Sequence, residues 1–240
     1  MMHRRLYTAL FFAFYVLFSV GASNRSDLYH VFVNKDAKGW KAIVDRMEKD
    51  PAKTNASLLE LINYEYGYVG WCLNAKDEKE ALVYIRLAEK HLDYLDEKGY
   101  KKSSVQAYKS IFMGFRMILS PIKVPFLGMK CISSSQAAYE LDKNNPIAVM
   151  QVGNMFYYRP RKLGGSKMAA MRHFQRAEKL WESSGATVGE WNYLNLLALM
   201  GMAYREMGQL QKSKEYGDKV RSLEPRFKWF NEYTYPSLQL

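Results

Sequence analysis

The chain has 240 residues, 48% of them hydrophobic, and a formal net charge of +11. That balance excludes a disordered chain, and a count of two cysteines excludes a disulfide-dense scaffold. Four histidines, none in a metal-spaced pair, argue against a histidine-built metal centre.

The chain opens on His3, Arg4 and Arg5, and then runs apolar from Leu6 to Val20, broken by Thr8 and Ser19. Gly21, Ala22 and Ser23 follow. A basic start, a short apolar run and a small-residue site are the layout of a secretory signal peptide, with cleavage expected after Ala22. The run is short of the roughly 20 residues that a membrane span needs. We therefore expect three parts: a signal peptide over residues 1–22, an extension with one helix over 23–55, and a helical domain over 56–240. The expected location is periplasmic, with membrane attachment only if the first segment is retained. Export leaves open whether Cys72 and Cys131 pair or stay as buried thiols.

Beyond the leader, helical spacing dominates. The extra helix over about 36–49 carries Trp40, Ile43, Val44 and Met47 as an apolar set, with Tyr29 and Phe32 before it. Leu58, Leu59, Ile62, Tyr66 and Val69 share one face, as do Ala81, Ile85, Ala88 and Leu92, and Met200, Ala203, Tyr204 and Met207. Turn chemistry at Asp50-Pro51, Asn74 to Asp77, Asn144-Asn145-Pro146, Gly164-Gly165-Ser166, Gly208 and Glu224-Pro225 separates the helices. The expectation is four antiparallel pairs: 56–74 with 78–96, 104–120 with 124–142, 146–158 with 166–183, and 188–207 with 210–223. Trp229, Phe230, Tyr233 and Tyr235 then form a short cap over the last apolar face.

The pairs repeat. Sliding the chain so that Gly114 falls on Gly153 also puts Pro121 on Pro160, Lys123 on Lys162, Met129 on Met168, Ala138 on Ala177 and Leu141 on Leu180. A glycine on one helix and an alanine on the next allow close approach of their backbones. In the last pair, Leu197, Met200, Gly201, Tyr204, Gly208, Ser213, Val220, Leu223 and Pro225 follow the frame of the tetratricopeptide repeat, with Gly217 where an aromatic is usual and Tyr216 beside it. Ala170, Phe174 and Ala177 carry the second half of that signature in the third pair, and Ala81, Ile85 and Ala88 do so in the first. Over about residues 56–225 the chain resembles a tetratricopeptide repeat protein. That resemblance implies an all-α right-handed superhelix whose groove holds a protein segment. A narrower resemblance rests on Tyr158, Pro160, Gly164 and Gly165 before the Ala-Phe-Ala helix, which is similar to the T component of TRAP transporters. It implies a periplasmic solute-binding protein as partner.

The sequence has no nucleophile elbow, no His-Glu-x-x-His, no phosphate loop and no dinucleotide-binding fingerprint. The expectation is a protein without catalytic activity, cofactor or metal. Leu163 to Lys167 reads as an inter-helix turn with Ser166 as N-cap. His91 and His173 read as surface or groove residues, and Asp93, Asp96, Glu78 and Glu80 as solvated charges with Lys partners. Export makes nucleic acid a poor partner. The candidate contact site is the edge formed by Tyr157, Tyr158, Arg159, Arg161, Lys162 and Lys123. There, cations beside aromatics suit a carboxylate, a phosphate or a sugar. The leading expectation is a protein-binding scaffold in the cell envelope. A binding module for a small anionic solute or a wall glycan is the alternative.

Overall fold

The helices begin where the sequence supplies a capping side chain. The computed structural model describes residues 24–239, and the expected leader, residues 1–22, lies outside them. Helix α1 spans 24–33, and α2 spans Ala37–Lys49, with Asp36 accepting from the Gly39 amide at 2.9 Å. Thr54 and Ser57 form a capping box before α3, Asn55–Asn74, and Asp77 caps α4, Glu78–Glu97. Helix α5, Lys102–Leu119, is followed by a 3-10 turn, Pro121–Lys123, and by α6, Val124–Leu141. Asn145 caps α7, Pro146–Tyr158. A second 3-10 turn, Arg161–Leu163, leads to α8, Lys167–Ser183, which Ser166 caps as the sequence suggests. Helices α9, Trp191–Glu206, and α10, Leu210–Leu223, form the last pair. A π-helical turn, Phe230–Thr234, and α11, Tyr235–Leu238, complete the chain. Among the described residues there is no strand, so the fold is all-α.

The expected pairs form, α3 with α4, α5 with α6, α7 with α8 and α9 with α10, and each pair packs against the next. Short turns reverse the chain at every step, so α5 and α7, which touch, run parallel. The two 3-10 turns therefore emerge at the same end of the stack. The extension departs from expectation: it holds two helices, α1 and α2, rather than one. Leu28, Phe32 and Val33 do have helical spacing, but Phe32 and Val33 find partners at the far end of the chain.

Helix α1 ties the two ends together. Leu28 is buried in the core of the first two pairs, and Val33 in the core of the last two. The Phe32 ring centroid lies 5.9 Å from that of Trp40, 5.7 Å from Trp191 and 4.8 Å from Phe227. Trp191, at the start of α9, is also 5.2 Å from Trp40 and 5.4 Å from Tyr66 of α3. Beside these rings, the Asn63 side-chain oxygen accepts from the Tyr108 hydroxyl and from the Asn192 amide, both at 2.9 Å. The first and last pairs thus meet on an inner side filled by Tyr66, Tyr108, Phe115 and Trp191.

Between the two cores, small residues set the spacing. Ala107, Ala138 and Ala148 bring α5, α6 and α7 together. The Ser103 hydroxyl donates to the Ala138 carbonyl and that of Ser110 to the Cys131 carbonyl, both at 2.8 Å. Cys72 and Cys131 are both buried free thiols. The repeated glycines are not equivalent in packing. A Cβ on Gly153 would lie 2.4 Å from the Phe174 ring, whereas one on Gly114 would meet no atom within 4 Å. The position equivalent to Phe174 in the second pair is Ser135, which is too small to fill the gap. Gly201 and Gly217 both face Leu238, so the cap supplies the apolar group that the repeat frame places on the last helix.

This difference yields a stability test. Gly114→Ala is expected to stabilise the fold by about 0.5–1 kcal/mol, the usual helix-propensity gain. Gly153→Ala is expected to destabilise it, because the buried Phe174 ring has nowhere to go. Urea denaturation of the two variants measures both signs.

Candidate functional site

The edge carrying the 3-10 turns is shaped by two different turn chemistries. In the second turn, Gly164 adopts φ 90°, and a Cβ on Gly165 would sit 1.7 Å from the Arg159 carbonyl oxygen. The Gly165 amide donates to the Pro160 carbonyl at 3.1 Å, and that of Ser166 to the Phe156 carbonyl at 2.9 Å. The glycine pair is there to let the backbone cross itself.

The six candidate residues divide into two groups. Tyr157 points inward and donates to Glu206 at 2.8 Å, and Lys167 donates to the same oxygen at 2.7 Å. These bonds, that from Lys167 foremost, hold the Glu206 carboxyl below its usual range. Arg159 folds back over the Phe156 ring at 5.4 Å and donates to the Gly164 carbonyl at 3.0 Å. Both residues bond within the fold, while the Arg159 Nε has no hydrogen-bond partner among the described residues. Lys123, Tyr158, Arg161 and Lys162 are exposed at the same end of the stack. Lys123, Arg161 and Lys162 make no hydrogen bond or ion pair among the described residues, so their charge is available.

Exposed apolar side chains accompany these cations. Ile122 is 80% exposed, Phe126 76%, Met129 70%, and Leu163 and Met168 are similarly open. Helix α6 buries Cys131, Ser135 and Ala138 against its neighbours, and its first turn, including Val124 and Phe126, stands in solvent. No described helix is long and apolar enough to cross a membrane.

A second cluster lies inside the fold, and sequence reading misplaced it. His91 is buried rather than at the surface or in a groove. Its Nδ1 is 3.2 Å from Glu65 Oε2, and its Nε2 is 3.1 Å from Glu48 Oε2. Glu65 is wholly buried, and its Oε1 has no hydrogen-bond partner. Burial pushes its carboxyl up to about 7, against the opposing hydrogen bond from His91. One ring nitrogen and two carboxylates within 4.8 Å of one another could hold a cation. The Lys53 ammonium already stands 3.9 Å from Glu48 Oε2 and supplies positive charge there. The available signal was Glu65 in the middle of an otherwise uncharged stretch of α3. His173 is half-buried and stacked on Phe156 at 5.6 Å, and burial, then Arg172 and Arg176, lower its pKa. Three of the four carboxylates read as solvated charges find lysines: Asp93 and Asp96 pair with Lys109, and Glu80 with Lys41.

Comparison with known proteins finds no matching family and no matching curated protein.

The Glu65 carboxyl gives the fold a pH dependence of defined sign. A carboxyl raised in the fold stabilises fully below its unfolded value and loses that contribution as pH rises through the folded value, here about 7. His91, Glu48 and Lys53 face it throughout. Glu65→Gln stays neutral, so its stability relative to the native chain is expected to grow between pH 5 and pH 8, by on the order of 3 kcal/mol at most. Thermal melts of the two proteins across this range check the prediction.

Proposed function

We propose that this chain is a non-catalytic, periplasmic scaffold of the tetratricopeptide-repeat kind, which holds a protein partner at the edge formed by its helix-hairpin turns. Three features support the architecture: pairs that pack in chain order, Gly153 against the Ala170–Phe174 face, and a cap seated on Gly201 and Gly217. The inner side, where the family's partners would lie, is occupied by Tyr66, Tyr108, Phe115 and Trp191. The contact is therefore assigned to the edge.

One observation carries this reading: Lys123, Arg161 and Lys162 stand exposed and unpaired beside Ile122, Phe126 and Leu163. Charge without an internal partner and apolar area without cover are what an interface leaves on a free subunit. In the narrower version the partner is a solute-binding protein, and the Tyr158 to Gly165 turn is the contact. The same three cations favour an anionic solute or a wall glycan as the second reading.

A photo-crosslinking residue at Leu163 is expected to give a discrete protein adduct in envelope extract. Lys123→Glu, Arg161→Glu and Lys162→Glu together are expected to abolish it. An equal adduct from Val188, at the opposite end and fully exposed, would move the contact elsewhere. Adducts to glycan alone would favour the second reading.

A further inference from the structure

We propose that the tip of the α5–α6 hairpin, with the α7–α8 turn beside it, docks the protein on an anionic lipid bilayer. The inference rests on the reading of this edge as a contact surface, and it names the chemistry that the edge recognises.

The first observation is the shape of the apolar surface. Residues 121–126 are all exposed, and every one except Lys123 is apolar. They occupy successive positions around the 3-10 turn and the start of α6, so Val124 lies on a different side of the axis from Ile122 and Phe126, and both sides are exposed. A groove on a protein partner covers one face of a helix. Immersion in a bilayer interface covers all faces at once. Ile118 and Met129 extend the patch along the hairpin, and Leu163 and Met168 add a second apolar tip at the same end.

The second observation is where the charge lies. From Lys98 to Ala177 the chain has fourteen Lys and Arg residues and two carboxylates, Glu140 and Asp142; Lys98, Lys101, Lys102 and Lys143 lie with those carboxylates at the opposite end of the stack. Both carboxylates sit at the C-terminal end of α6, about 25 Å of helix from the tip. At the tip itself, Lys123, Lys130, Arg161 and Lys162 are exposed without partners among the described residues. The nearby Glu206 is already held by Lys167 and Tyr157. Aliphatic stems over an apolar tip, with ammonium and guanidinium heads at its margin, match the layering of acyl chains under anionic headgroups.

The third observation is why the sequence leaves this surface uncovered. Helix α6 buries small residues alone, Cys131, Ser135 and Ala138. Close approach at that seam uses up its inner face, and residues 124–126 of its first turn stay exposed.

The test places an environment-sensitive fluorophore at Ile122→Cys in the full chain. Cys72 and Cys131 are buried, and burial raises both thiols above their usual range, so the new thiol is the reactive one. Vesicles of phosphatidylglycerol with phosphatidylcholine are expected to blue-shift this label, and phosphatidylcholine vesicles are not. The same label at Val188→Cys, at the opposite end, is expected to stay in water. Lys123→Glu, Arg161→Glu and Lys162→Glu together are expected to weaken vesicle binding at least tenfold, with circular dichroism unchanged. A silent label at Ile122, an equal response to neutral vesicles, or an equal shift at Val188 each overturns the proposal. If Ile122 is silent while the Leu163 crosslink to protein persists, the edge remains a protein contact and the lipid assignment fails. A blue shift without that crosslink keeps the lipid assignment and removes the protein partner.

Discussion

The structure depends on an aromatic junction that joins its two ends. Trp191 touches Trp40, Phe32 and Tyr66, which come from the extension and the first pair. Without that junction, each helix pair would pack only on its neighbours, and the first and last pairs would each leave an apolar face in water. With it, α1 is shared between the two cores, and Asn63 can accept from both Tyr108 and Asn192. The same closure fills the inner side with rings. The turns at the two ends of the stack stay exposed.

At the end carrying the 3-10 turns, cations lack internal partners and apolar side chains stand free. The cause lies in the middle of the chain, where α5, α6 and α7 meet through alanines, serines and Cys131. A seam built from small residues brings backbones close but buries little area per residue. Helix α6 therefore contributes to the stack mainly through backbone proximity and hydroxyl bonds, and its large apolar residues are free to point outward.

The polar group buried deepest lies elsewhere. Glu65 is enclosed between α3 and α4, with His91 on one side and an unpartnered oxygen on the other. Burying a carboxylate is costly unless it is neutralised or paired; burial raises the Glu65 pKa, and His91 and Lys53 oppose that rise. Its members come from α2, α3 and α4, far apart in sequence and with no local motif. That is why a reading by spacing placed His91 at the surface or in a groove. Tyr157 and Arg159 come from an exposed, charged stretch, and in the fold they donate to Glu206 and to the Gly164 carbonyl.

The sequence by itself determined the all-helical class, the four pairs and most of their boundaries. Apolar spacing and capping side chains act over a few residues, so they can be read directly from Asp77, Asn145 and Ser166. It also marked Lys123 and Lys162 as equivalent, because the repeat preserves the turn after each first helix. Only the tertiary structure decided that Gly153 is tightly packed and Gly114 is not, that α1 belongs to both cores, and that α3 and α9 meet through Trp191. Each of these depends on which side chain from a distant segment fills a given space. Distant packing leaves no period in the sequence, and so it becomes visible once the chain is folded.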